Sequence, residues 1–235
     1  MLPLLRRALH GATVILLSPL LRADFGDAVT DAQIRYVANG LPDLGEIKRV
    51  PREVPRVLFL SNLLEAKGPL VLVDALTRLA DRGVAFEATF AGAPTNEISE
   101  SAMRAALAPF EHRVRYVGPV MGEAKQALFR DHDLFVLPTR ADAFPLVLLE
   151  AMMWGLPVVS TFEGAIPDIV VDGETGCLLP GHDAELLAER LEILIRDQRL
   201  RTAMSQRARK RFVEHFTLPH FEHGLADVLS EARPR

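Results

Sequence analysis

The chain has 235 residues, 49% of them hydrophobic, enough to close one or two cores. Its 27 basic and 31 acidic residues leave a formal net charge of −4, which argues against a nucleic-acid-binding surface. The single cysteine, Cys177, excludes an intramolecular disulfide and suits a reducing compartment, and no Cys/His spacing resembles a metal site.

The first informative stretch is "GATVILLSPLL", Gly11 to Leu21, apolar but interrupted by Pro19 and flanked by Arg6, Arg7, His10 and Arg22. A spanning helix needs roughly 20 apolar residues, and no convincing small-residue cleavage site follows. It reads as a buried strand with its flanks, with contact at a membrane surface as the second reading. Residues 41–55, "LPDLGEIKRVPREVP", are Pro-rich and charged and read as a linker.

From Arg56 onward short β-rich runs alternate with helical patterns. The predicted strands are Arg56 to Ser61, Phe86 to Gly92, Arg113 to Gly118, Leu134 to Pro138 and Pro157 to Thr161, with Gly176 to Pro180 as an edge strand. Helices are predicted over Lys67 to Asp81, around Ser99 to Phe110, around Glu123 to Arg130, and across Glu150. Regular alternation with continuously apolar strands is the mark of a parallel sheet covered on both faces, hence a doubly wound α/β domain. After Pro180 only helical periodicity remains: Leu187, Leu191 and Leu194, then Leu200, Met204 and Ala208, then a helix beginning near Pro219.

Ligands of such sheets sit outside the carboxyl ends of the strands. The first strand leads to Lys67 and Gly68, where a cation opposes the dipole of the helix it opens unless an anion arrives; a plain surface lysine is the alternative. The loop Val117 to Met121 has Gly118, which permits close backbone approach to a flat ring, or else makes an ordinary turn. In "RADAFPLVLLEAMMWG", Arg140 to Gly155, Pro145 suits the first helical position. The amides of Leu146, Val147 and Leu148 are then left for an anion. Glu150 lies about 7 to 8 Å along the axis from Pro145, at roughly 1.5 Å per residue, so a diphosphate at the helix tip would leave its ribose near it. Asp142 falls off the other end. The competing reading makes Asp142 a helix cap and pairs Glu150 with an arginine such as Arg140. Gly164 to Pro167 form a tight loop whose amides could join the anion site; Glu163 beside it is given no role. Asp172 to Gly176 is a turn.

These residues resemble the nucleotide-binding half of a GT-B fold glycosyltransferase, of the large retaining class called family four, glycosyltransferases group 1. The resemblance covers roughly Ala12 to Leu229. It rests on "VANGLPD", "SNLLEAKG", "YVGPV" and "TRADAFPLVLLEAMMWGLPVVST", with "GAIPDIVVDGETGCLL" in register. It implies a Rossmann-like doubly wound parallel sheet, one half of a GT-B fold, with a C-terminal helical segment. The chain then divides into 1–42, a remnant of the N-terminal domain and crossover; 43–55, a linker; 56–181, the nucleotide-sugar domain; and 182–235, the helices.

The implied reaction is transfer of a sugar from a UDP- or GDP-linked donor to a hydroxyl, with retained configuration. Lys67 would contact the diphosphate, Asp142 the transferred sugar, and Glu150 the ribose. Ala143, Phe144, Pro145, Leu146 and Val147 would supply backbone contacts. The resemblance would place Asn62 at the phosphates and Gly118 and Val120 at the base. No metal or cofactor is implied. Two positions depart from the pattern: Ser61-Asn62 stand where Gly-Arg is usual, and Asp142 where Glu is usual. The acceptor site of the first domain has no counterpart here, so a separate acceptor-binding domain or subunit is expected, with a cytoplasmic location and the inner face of a membrane as the second option. The alternative is a non-catalytic nucleotide-binding or interaction module.

Overall fold

In the computed structural model, which describes residues 2–45, 52–110 and 113–231, two parallel sheets organise the chain. The N-terminal segment carries α1 (Leu2–Ala8), β1 (Val14–Leu16), a 3-10 segment (Pro19–Ala28) and β2 (Ile34–Tyr36). β1 and β2 pair in parallel as a sheet of their own. Leu16, Val29 and Ile34 form its small core, with Leu9, Val14 and Phe25 packed on it. The predicted buried strand is therefore only half buried: Leu16 is enclosed but Ile15 is 38% exposed, and its partner strand likewise exposes Tyr36. A two-stranded sheet has too few layers to cover both faces of its strands.

Residues 46–51 of the predicted linker lie outside the described residues, but its flanks are tied down. Leu41 exchanges backbone hydrogen bonds with Phe216 and Leu218, and Asp43 pairs with Arg209 at 2.8 Å.

The second sheet has six parallel strands in the order β5-β4-β3-β6-β7-β8. They are β3 (Arg56–Leu60), β4 (Glu87–Ala91), β5 (Val114–Tyr116), β6 (Leu134–Val136), β7 (Val158–Thr161) and β8 (Gly176–Leu179). The chain starts in the middle, runs out through β4 to β5, and returns to lay β6 on the other side of β3. The order reverses between β3 and β6, the point of such a sheet outside whose strand ends ligands bind. β8 takes the edge, as its short run predicts.

Crossovers are α2 (Pro69–Asp81), α3 (Glu100–Leu107), α4 (Gly122–Asp131), α5 (Leu146–Met153) and the single-turn α6 (Ile166–Ile169). Then come α7 (Ala184–Arg196), α8 (Gln198–His215) and α9 (Leu218–Glu231). Ser99, Asp183 and Asp197 cap α3, α7 and α8 by accepting from the first-turn amides of Ala102, Leu186 and Leu200. α7 packs on α2 and α8 on α5. Leu187, Leu191, Leu194, Met204, Ala208 and Phe212 thus join the same hydrophobic core as Val57, Phe59 and Phe135. α9 turns back to the N-terminal segment, where Glu231 pairs with Arg35 at 2.8 Å. Among the described residues no helix is long and apolar enough to cross a membrane.

Candidate functional site

The segments that follow β3 and β6 carry most of the predicted residues. β3 leads through Ser61 and Asn62 into a 3-10 turn, Glu65–Lys67. Gly68 follows in the left-handed region (φ +73°) and caps α2. A Cβ at Gly68 would lie 2.3 Å from the Pro138 carbonyl oxygen, so only glycine lets this turn press against the end of β6. Lys67 does not open the helix, as the sequence suggests, but sits just ahead of its cap. Its ammonium donates to Asp142 Oδ1 at 2.6 Å and to the Ala141 carbonyl at 2.9 Å. The two side chains are 19% and 16% exposed. An ammonium has three N–H groups, so one is left over. Asp142 Oδ2 is buried and meets no donor among the described residues. Asp142 is an ion-pair partner, not a helix cap.

Pro145 is the cap residue of α5 rather than its first helical residue, because its ψ of 108° is extended. Leu146 becomes the first position. The Leu148 amide donates to the Pro145 carbonyl, so of the three predicted free amides it is already engaged. Leu146 and Val147 keep the first-turn geometry that leaves an N–H without an intrahelical acceptor. Phe144 buries its ring against Phe216, with centroids 6.4 Å apart, and offers only backbone to a ligand.

Two loops stack at this point. Gly164 has φ +52°, and a Cβ there would lie 2.0 Å from the Asp142 carbonyl oxygen. The Ala165 amide donates to the Ala143 carbonyl at 2.8 Å and Ile166 to Glu163 at 3.0 Å. Those two amides are therefore used inside the protein and do not join an anion site, a correction to the sequence expectation. What the stacking builds is a cleft of ≈ 390 Å³ lined by Leu20, Leu21, Asp24, Asp142, Ala143, Glu163 and Gly164. The N-terminal segment forms one wall. It is held there by the Ser18 hydroxyl, which donates to the Asp168 carboxylate. Asp24 and Glu163 have no assigned role in the sequence; neither belongs to a recognisable spacing, and only the fold brings them to the cleft that Asp142 lines. Among the described residues no group of three His, Cys, Asp or Glu side chains is arranged to hold a metal ion.

Glu150 is not among the residues lining this cleft. It lies along α5, and its partner is Lys125 of α4, with Nζ 2.6 Å from Oε1, rather than Arg140. Nothing in the sequence links positions 125 and 150; the contact follows from the packing of two crossover helices.

The loop after β5 behaves differently from expectation. Gly118 has φ +76°, but a Cβ there would meet nothing within 4 Å, so the glycine serves the turn and not a close approach. The close approach is at Gly92, where a Cβ would fall 1.8 Å from the Ser61 carbonyl oxygen. Gly92 also donates to the Gly118 carbonyl at 2.9 Å and accepts from the Tyr116 hydroxyl at 2.7 Å. The ends of β3, β4 and β5 are thereby knitted together. Asn62 is exposed beside this seam, Val120 is partly exposed, and Met121 is 86% exposed.

The model for the family described as glycosyl transferases group 1 matches residues 44–211. The D-inositol 3-phosphate glycosyltransferase of Corynebacterium efficiens is 33% identical over 191 residues, covering 78% of this chain and 44% of that protein. The putative colanic acid biosynthesis glycosyltransferase WcaL of Escherichia coli strain K12 is 30% identical, covering 77% of this chain and 46% of its own length. The chain thus spans less than half the length of these curated relatives. In fold it matches Anabaena HepE in complex with UDP at a TM-score of 0.84, with 22% identity over 98% of this chain and 68% of that one. Sucrose-phosphate synthase from Thermosynechococcus elongatus matches at 0.82, with 23% identity over 98% of this chain and 61% of that one. On a parallel sheet whose order reverses where Lys67 meets Asp142, the match over 44–211 and the relatives at 30% identity or more lead to one conclusion: the chain belongs to the glycosyl transferases group 1 family.

Proposed function

We propose that this chain forms the donor-binding, C-terminal half of a retaining glycosyltransferase of family four, taking a nucleotide-linked sugar and passing the sugar to a hydroxyl. In this reading residues 56–181 hold the donor, 182–235 brace it, and 1–42 belong to the neighbouring acceptor-binding domain, which another segment or subunit supplies. The observation that carries the reading is the pairing of Lys67 with Asp142 where the order of the sheet reverses. Asp142 Oδ2 is without a donor there, and an unmet buried acceptor costs about 1–3 kcal/mol. A sugar hydroxyl would remove that cost once the side chain turns to meet it. The spare N–H of Lys67 and the amides of Leu146 and Val147 then face the diphosphate, whose negative charge grows as the glycosidic bond breaks. The related Anabaena protein has been solved with UDP-glucose, and a UDP-sugar is the donor we favour over a GDP-sugar.

Asn62 gives the second reading its footing. A neutral side chain at the phosphates supplies less leaving-group stabilisation, and a protein that binds a nucleotide without turnover is the consequence. Calorimetry with UDP and GDP tests the site, and hydrolysis of the UDP-sugar tests the chemistry. One diphosphate should bind in the micromolar to millimolar range, and Lys67→Met should abolish that binding. If neither nucleotide binds at millimolar concentration, the donor-site assignment is wrong. Binding without hydrolysis, even with an acceptor-binding partner added, selects the non-catalytic module.

A further inference from the structure

Glu150 is held by a residue that the motif does not include. Lys125 stands on the first turns of α4, directly after the loop Val117 to Met121, and its ammonium meets Glu150 Oε1 at 2.6 Å. The side chains are 26% and 15% exposed, sheltered enough for the charge of Glu150 to need a counter-ion. The next residue makes a second tie: the Trp154 indole N–H, at the C-terminal end of α5, donates to Gln126 Oε1 at 2.6 Å. Two consecutive residues of α4 therefore clamp α5 at Glu150 and one turn further on. Lys125 occupies Oε1 only; among the described residues Oε2 meets no donor. A carboxylate oxygen carries two lone pairs, so Oε2 and the second lone pair of Oε1 stay available to hydroxyls arriving from solvent.

We propose that Lys125 is a positioning residue for the nucleoside: its contact with Oε1 fixes the plane of the Glu150 carboxylate so that the free oxygen receives a ribose hydroxyl. Through the short span from Met121 it also sets the base-side loop against the ribose-side helix. This rests on the reading of Glu150 as the ribose acceptor. A lysine that merely neutralised a sheltered acid would contribute to stability and leave the discrimination between ribose and deoxyribose untouched. The positioning role predicts that the discrimination itself falls.

The test is calorimetric titration of the whole chain with UDP and 2′-deoxy-UDP, and with the GDP pair if GDP is the better ligand. Wild type, Lys125→Met, Lys125→Gln, Lys125→Arg and Glu150→Gln are compared, with melting temperatures alongside. Wild type should prefer the ribonucleotide by about tenfold or more, the effect of one charge-assisted hydrogen bond. Glu150→Gln should lose most of that preference, Lys125→Met should reduce it to less than about threefold, and Lys125→Arg should restore part of it. Lys125→Gln keeps a donor without the charge and serves if the methionine variant does not fold; it should also lose preference. If Glu150→Gln loses the preference and both neutral Lys125 variants keep it, Lys125 has no positioning role and the ribose reading stands. If wild type shows no preference, or Glu150→Gln retains it, the ribose reading of Glu150 falls and takes this proposal with it.

Discussion

Replacing Lys67 by methionine keeps a long apolar stem and deletes the ammonium. Asp142 is then left with one oxygen facing the former partner and the other already without a donor. Removing one member of a fully buried pair costs about 3–5 kcal/mol. Here the side chains keep 19% and 16% of their exposure, so water screens part of the orphaned charge and we expect ~2–3 kcal/mol. Asp142→Asn is milder, because the ammonium still has the Ala141 carbonyl and an amide oxygen to donate to; ~1 kcal/mol is expected. The double variant contains no unpaired charge and should lie within ~1 kcal/mol of wild type. It should therefore be more stable than Lys67→Met alone. The assay is urea unfolding at pH 7 with a common m-value, supported by melting curves in which Lys67→Met should lose about 5–10 °C for a chain of this size. Additive losses in the double variant, or no loss in Lys67→Met, would refute the idea that the two charges form one coupled unit.

The remaining expectations concern the frame around the pair. His132 is buried at the end of α4, hydrogen-bonded to the Leu128 carbonyl and to Thr89 Oγ1, and burial pushes its pKa down to about 4. The folded state keeps it neutral while the unfolded chain takes up a proton below its ordinary value of about 6.5. Stability should therefore be unaffected above pH 7 and fall by up to ~3 kcal/mol as pH drops from 6.5 towards 4. A His132→Gln variant should flatten that slope in urea titrations between pH 7.5 and 5, and an unchanged slope would remove His132 as the cause. Gly164→Ala must adopt a left-handed conformation and places its methyl against the Asp142 carbonyl. It should destabilise by roughly 2 kcal/mol or more and weaken nucleotide binding by displacing residues 142–143. Equal melting temperature and equal affinity would show that the two loops do not hold each other.

The sequence alone determined the architecture, because its evidence is periodic and local. Continuous apolar strands such as Val57 to Phe59 and Val158 to Val159 alternate with helices bearing one apolar stripe, and such a chain has few ways to bury both. The sequence singles out Lys67 and Asp142 because each follows a strand end, where the structure pairs them, and Glu150 because a lone acid stands in an apolar helix. Tertiary structure decided everything that depends on two distant segments meeting. Lys125 reaches Glu150 because α4 and α5 pack side by side. Asp24 and Glu163 share a cleft with Asp142 because Ser18 holds the N-terminal segment to α6 and Gly164 lets two loops stack. Gly92, not Gly118, carries the tight crossing because β3 and β4 are neighbours in the sheet. Spacing along a chain reports which face of an element a residue occupies; which other face it meets is set by the strand order and helix packing of the folded whole.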